Sequence, residues 1–270
     1  MQHSIEELEE LARKCRIEIV KMVYRAQAGH PGGSLSEIDL LAGLYGTTMR
    51  VRSDDPDWED RDRFILSKGH ASPGMYALLA ERGFISHDDL TSYRVLGGVC
   101  QGHVDMKWCP GVDFSAGSLG MGLSFGMGCA VAAKLDGSER RAFVMLGDGE
   151  IQEGQIWEAA MSASKFKTNN LIAIIDFNKV AQDNITKDLK DIEPIEAKWE
   201  SFGWDVHRID GHNMTEIMEI LRKSVHPEKP RVIIADTIKG KGVSFMEGQT
   251  AWHGVAPSKE DYEKALKELE

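Results

Sequence analysis

Apolar residues recur at three- and four-residue steps near the start of the chain: Ile5, Leu8, Leu11, Ala12, Cys15, Ile19 and Met22. That spacing puts them on one face of an amphipathic helix. A second helix is expected behind Ser34 and Glu37, which have the spacing of a capping box, with Leu35, Ile38, Leu41 and Leu44 as its apolar positions. Ser72-Pro73 reads as the start of another helix and Gly83 as its end. Helical periods also run from Gln155 to Lys165 and from Thr215 to Val225. Short continuous apolar runs alternate with these helices: Arg63 to Ser67, Arg141 to Leu146, Leu171 to Asp176, Val206 to Asp210 and Arg231 to Thr237. Strands of this kind, separated by helices, predict an α/β fold: a mainly parallel sheet with helices on both faces. The 270 residues suit one large domain, 1–270.

In such sheets ligands bind beyond the carboxyl ends of the strands. Four of the five runs end in glycine or in polar groups able to ligate. These are Lys68-Gly69-His70, Gly147-Asp148-Gly149, Asp176-Phe177-Asn178 and Lys239-Gly240-Lys241-Gly242. One such end is ordinary turn chemistry; four on one edge predict a site.

Charge narrows the class. The net charge of −11 argues against nucleic acid or an anionic membrane as partner. No apolar run approaches the roughly 20 residues of a membrane span. The stretch Met1 to Glu10 is acidic and lacks the apolar core of a signal peptide. The four cysteines form no C-x-x-C pair, and Cys15 and Cys129 fall in apolar helical patterns as core residues. A reducing, cytoplasmic setting is expected.

The strongest chemical signal is Gly147-Asp148-Gly149 with Asn178 some way downstream. A hard divalent cation takes carboxylate, amide and carbonyl oxygens and completes its shell with phosphate. Asp148, Asn178 and the carbonyl of Val180 can supply such oxygens. Read alone, the first motif is a plain glycine turn. The segment Gly117-Ser118-Leu119-Gly120-Met121-Gly122 opens an apolar helix running to about Leu135, where backbone N–H groups can approach a phosphate. Its bland reading is close helix packing. Four histidines, His30, His70, His103 and His253, sit in glycine- or proline-rich loops. Single loop histidines are usually solvated; four together predict a polar pocket for hydroxyl groups or proton transfer. His3, His87, His207 and His226 read as surface residues, and His212 as structural. Glu153 and Glu158 are either solvated or turned toward a subunit interface.

These residues resemble the N-terminal half of transketolase. Gly147-Asp148-Gly149 with Asp176-Phe177-Asn178 is similar to the general thiamine diphosphate signature. Leu66-Ser67-Lys68-Gly69-His70, Gly102-His103 and Trp252-His253-Gly254 are similar to transketolase in particular. The resemblance implies a diphosphate-binding domain in which Asp148, Asn178 and Val180 bind magnesium, calcium or manganese. It implies a cofactor-binding set of His70, Gly117, Ser118, Leu119, Gly147, Asp148, Gly149, Glu150, Glu153, Asn178 and His253. It also implies that His30, His70, His103 and His253 face a sugar phosphate, and that Glu158 lies near an interface between paired sites. Met121 stands where many relatives have glutamine.

Full transketolases continue into a pyrimidine-binding domain and a C-terminal domain, whereas this chain stops at Glu270. The expectation is therefore a split transketolase of carbohydrate metabolism, serving either the general pentose phosphate pathway or a dedicated catabolic route for an unusual sugar. This chain would pair with a separate C-terminal subunit carrying the pyrimidine-binding domain, with two copies of each chain. Three alternatives stand beside it: a deoxyxylulose phosphate synthase, the α chain of a 2-oxo acid dehydrogenase, and a non-catalytic cofactor-binding subunit.

Overall fold

The computed structural model describes residues 3–270, so Met1 and Gln2 of the acidic N-terminal stretch lie outside the described residues. The chain runs α1 (Ile5–Ala26), α2 (Pro31–Thr47), β1 (Arg63–Leu66), α3 (Ser72–Glu81), α4 (Met121–Leu135), β2 (Ala142–Gly147), α5 (Gly154–Lys165), β3 (Leu171–Phe177), α6 (Thr186–Leu189), α7 (Ile195–Ser201), β4 (Asp205–Asp210), α8 (Met214–Arg222), β5 (Arg231–Asp236) and α9 (Lys259–Leu269). The five strands form one sheet in the order β1-β2-β3-β5-β4, with every neighbouring pair parallel. All five predicted apolar runs are strands, with ends within a residue of expectation.

Alternate side chains of each central strand enter opposite layers, as the pleat requires. Phe143, Met145, Ile172, Ile174, Ile233 and Ala235 join a cluster with α1, α2, α3 and α8. Val144, Leu146, Leu171, Ala173, Ile175, Val232 and Ile234 join a second cluster with α4, α5 and α7. Helices therefore cover both faces, which is why the strand sequences are continuously apolar. No helix among the described residues is long and apolar enough to cross a membrane.

The expected capping box is a correction. Helix α2 begins at Pro31, and every residue from Pro31 to Gly46 is buried. Proline at the first helical position preorganises the turn, because its missing N–H has no partner there in any case. Ser34 and Glu37 are thus interior residues: the Ser34 hydroxyl donates back to the His30 carbonyl at 2.9 Å, and Glu37 meets Lys68 at 2.9 Å. Cys15 is buried as expected, but Cys129 is only partly so. It packs against the edge of the core cluster beneath α4 and α5.

His212 is structural, as its strand-end position indicated. Its Nε2 accepts from the Ile238 backbone at 2.8 Å, so Nδ1 donates to Asp39 at 2.7 Å. His87 is exposed, whereas His207 is partly buried beside Asp205 at 3.1 Å.

Candidate active site

The carboxyl ends of β1, β2, β3 and β5 open onto one cavity of about 390 Å³, whose wall also includes the loop before α4 and the N-terminus of α2. Here the sequence changes from apolar to glycine, carboxylate, amide and lysine within one or two residues on each strand. The edge strand β4 does not contribute, since its end is tied to α2 through His212 and Asp39.

Asp148 is buried just past β2. Its carboxylate accepts from the backbone N–H of Gly149 at 2.8 Å and of Lys179 at 2.6 Å, and from the Thr186 hydroxyl at 2.9 Å. Burial, then the nearby Asp176, raises its pKa. The Asn178 amide nitrogen donates to Asp176 at 3.2 Å and Ser36 at 3.4 Å, which fixes the amide so that its oxygen faces the other way. That oxygen accepts from Val180 N–H at 3.1 Å. One carboxylate, one amide oxygen and the Val180 carbonyl make a hard, incomplete donor set. No group of three or more His, Cys, Asp or Glu able to hold a metal occurs among the described residues. The set fits a divalent cation that arrives with phosphate oxygens of its own.

Two buried lysines face this oxygen cluster. Lys68 is neutralised: its ammonium touches Asp176 at 2.5 Å and Glu37 at 2.9 Å, and donates to the Gly33 carbonyl at 3.0 Å. Burial pushes the Glu37 carboxyl up to about 8. Lys239 is different. It is 2% exposed, yet among the described residues its ammonium contacts only the carbonyls of Val180 at 2.8 Å and Ala181 at 3.2 Å, and His253 Nδ1 at 2.8 Å. Burial lowers its pKa to about 8. A buried cation without a carboxylate partner is costly by itself, and an anionic ligand such as a diphosphate removes that cost. Gly117, whose Cβ position has no neighbour within 4 Å, leaves open backbone for the same anion.

The four loop histidines meet around His30. Its ring centroid lies 5.1 Å from His70, 5.5 Å from His253 and 6.3 Å from His103. His70 and His253 are 5.3 Å apart. His30 Nδ1 is buried with no partner among the described residues. Burial first, and neighbouring cations second, hold His30 at about 4 and His253 at about 3, and hold His70 and His103 below the ordinary imidazole value. All four are neutral near pH 7; His30, His70 and His103 each keep one nitrogen free to accept a proton, while the accepting nitrogen of His253 is taken by Lys239. Because the Lys239 ammonium donates to Nδ1 of His253, the proton of that ring is on Nε2.

Not every candidate lies in the cavity wall. Gly117, Leu119, Gly147, Asp148, Gly149, Glu150, Asn178 and Val180 do. Glu150 is there as a clamp: it accepts from the Ser67 hydroxyl, from Gly120 N–H at 2.8 Å and from Gly147 N–H at 3.1 Å, joining β1, β2 and the loop before α4. Ser118 is exposed beside Phe114, Met121 and Phe125 in a neighbouring depression. Glu153 is exposed at the N-cap of α5, packed by Gly120, and Glu158 is exposed on the outer face of α5. Lys239 and Lys68 were missing from the sequence candidates. Their signal was their place two or three residues past the ends of β1 and β5, in the same strand-end loops that marked Asp148 and Asn178.

Comparison with known proteins agrees with this geometry. Residues 8–269 match the family described as transketolase, thiamine diphosphate binding domain. The chain is 41% identical over 266 residues to an apulose-4-phosphate transketolase subunit of Phocaeicola vulgatus, covering 98% of this chain and 94% of that one. It is 40% identical over 265 residues to the 6-deoxy-6-sulfo-D-fructose transketolase subunit SqwG of a Clostridium species, covering 98% and 96%. The crystal structure of transketolase from Campylobacter jejuni superposes with a TM-score of 0.91 at 33% identity, covering 99% of this chain but 43% of that longer one. With fold and sequence in agreement over nearly its whole length, the chain belongs to the transketolase family, whose thiamine diphosphate binding domain it carries.

Proposed function

We propose that this chain is the diphosphate-binding subunit of a two-chain transketolase, which moves a two-carbon ketol unit from a ketose phosphate to an aldose phosphate. The observation that carries the reading is the pairing, in one cavity, of an unneutralised Lys239 beside Asp148 and Asn178 with four mutually adjacent neutral histidines. The relatives named as transketolase subunits have nearly this chain's length, which supports a separate C-terminal partner. An assembly of two copies of each chain is the simplest closed arrangement.

Thiamine diphosphate, when bound, supplies a nucleophilic carbon and an electron sink for breaking and forming the carbon–carbon bond. The residues of this chain bind, orient and move protons. Asp148, Asn178 and the Val180 carbonyl would hold magnesium, or calcium or manganese, against the diphosphate. Lys239, whose ammonium sits on the Val180 carbonyl at 2.8 Å in this structure, would turn from that oxygen to the same anion. The neutral rings of His30, His70, His103 and His253 line the adjoining space, where the first three can accept protons from sugar hydroxyls and return them and His253 can donate from Nε2. The partner would hold the pyrimidine end of the cofactor and close the site.

The test is calorimetric binding of thiamine diphosphate with magnesium, for the chain alone and with its partner, alongside ketol transfer from xylulose 5-phosphate. Transfer is expected only in the mixture, and Asp148→Ala is expected to lose both binding and transfer. Transfer by this chain alone would defeat the two-subunit reading.

A further inference from the structure

Glu37 is out of keeping with its surroundings. It lies within α2, a helix buried along its length, and it is 0% exposed. Neither carboxyl oxygen has a well-directed hydrogen-bond donor among the described residues. Among the described residues its ion-pair partner is the Lys68 ammonium, 2.9 Å from Oε2. Room for the carboxyl is made by α3, where a Cβ on Gly74 would stand 2.8 Å from Oε1. A carboxyl sealed in this way costs stability. Lys68 does not need it for neutralisation, because Asp176 already lies at 2.5 Å.

What Glu37 adds is direction. An ammonium carries three N–H donors that rotate together. On Lys68 two of them donate, to Asp176 and to the Gly33 carbonyl at 3.0 Å, and the Glu37 carboxyl stands 2.9 Å away on the remaining side without a directed hydrogen bond. Its polarity holds in the interior an ammonium that two hydrogen bonds alone would leave free to swing toward the cavity, in whose wall Lys68 stands. The fixed ammonium in turn holds Asp176. The same Asp176 oxygen that meets Lys68, Oδ2, also accepts from the Ser36 hydroxyl at 2.6 Å and from the Asn178 amide nitrogen at 3.2 Å. The orientation of the Asn178 amide, and hence of its oxygen, is therefore the last link of a chain that starts at Glu37. The chain draws one member from each of α2 and the end of β1, and two from the end of β3. Partners of this kind, which orient an oxygen ligand without touching the cation, set cation affinity through that ligand.

We propose that Glu37 is a positioning residue of the cation site, acting through Lys68 and Asp176 on the amide of Asn178. This rests on the reading of Asp148, Asn178 and the Val180 carbonyl as the cation's oxygen donors.

The experiment uses the complex with the C-terminal partner and saturating thiamine diphosphate, titrated with Mn2+ as the probe. Free Mn2+ is followed by electron paramagnetic resonance, a readout independent of turnover. Glu37→Leu is expected to raise the Mn2+ Kd roughly tenfold or more. Glu37→Gln keeps an oxygen at the same place and is expected to stay within about threefold of the native value. A second comparison tests the route. In an Asn178→Ala background, Glu37→Leu should add no further loss, because the ligand it orients is gone.

A native Kd in Glu37→Leu would overturn the proposal. So would a full additional loss in the Asn178→Ala background, which would mean that Glu37 acts by another route. Should Glu37→Leu fail to fold, Glu37→Gln and Glu37→Asp decide. The shorter aspartate cannot span the distance to Lys68 and is expected to weaken Mn2+ binding more than glutamine does; the reverse order refutes the assignment. Absence of ketol transfer by a native complex that still binds Mn2+ would count against the transketolase reading alone, and the Mn2+ titrations would still decide Glu37.

Discussion

At the scale of single residues the site combines neutral imidazoles with one buried cation that lacks a carboxylate. The pH dependence follows. In the unfolded chain histidines titrate near 6.5, while burial holds His30 at about 4 and His253 at about 3 when folded. Between those values the unfolded state binds protons that the folded state refuses, so these groups make stability fall as pH drops. Glu37 acts in the other direction, because its folded carboxyl keeps a proton between 4.5 and about 8 that the unfolded chain has lost. The histidine contribution is isolated by His253→Phe, whose melting temperature is expected to fall less than that of the native chain between pH 6.5 and pH 4. Equal slopes would contradict it. Lys239→Met keeps the stem of the side chain and deletes the charge. Thiamine diphosphate affinity measured by calorimetry should drop about tenfold or more, corresponding to one lost desolvated cation–phosphate contact. An unchanged affinity would remove Lys239 from the anion site.

At the scale of elements, α4 depends on glycine for its position, and the loop that lines the cavity depends on α4. A Cβ on Gly122 would collide with Ser67, and one on Gly126 with Val144, so the helix lies directly against β1 and β2. Gly122 N–H also donates to the Ser67 hydroxyl at 3.1 Å. Gly122→Ala must lift the helix, at a cost of about 1–3 kcal/mol in urea unfolding, and should weaken cofactor binding by moving Leu119 and Gly120. Gly128, in the same helix, has nothing within 4 Å of its Cβ position. Gly128→Ala is therefore expected to stabilise the isolated chain by up to about 1 kcal/mol through helix propensity alone. If both substitutions cost the same, close packing is not what holds α4 in place.

At the scale of the whole molecule, α4 exposes an apolar side and α5 adds one methionine: Met121, Phe125, Leu135 and Met161 are 46%, 38%, 84% and 51% exposed. Apolar residues contiguous with a ligand cavity mark an association surface. The proposed assembly of copies would use this face, and Phe125→Asp should shift the sedimentation coefficient toward that of a single chain while the circular dichroism spectrum stays native. A native chain that sediments as a monomer both alone and with its partner would count against the assembly.

The sequence by itself determined the layers and the edge that carries the site. A strand buried on both faces must be apolar throughout, and a strand's end is where apolar residues must give way, so both features are written locally. That is why β1 to β5, Asp148, Asn178 and the four histidines were legible, and why resemblance to a family could attach to them. Ser34 and Glu37 misled because their spacing satisfies a capping box wherever the helix starts. Only packing showed that α2 is buried all round and begins at Pro31. Tertiary structure alone decided which charges cancel. Lys68 and Lys239 look alike in sequence, each in the loop just past a strand. Lys68 meets two carboxyl groups brought from α2 and β3, whereas Lys239 meets none among the described residues. It likewise put His30 at the centre of the histidines, left Glu153 in solvent, and carried Glu37 to the ammonium of Lys68. Neutralisation depends on distances between residues far apart in the chain, and the period of a helix or strand carries no information about them.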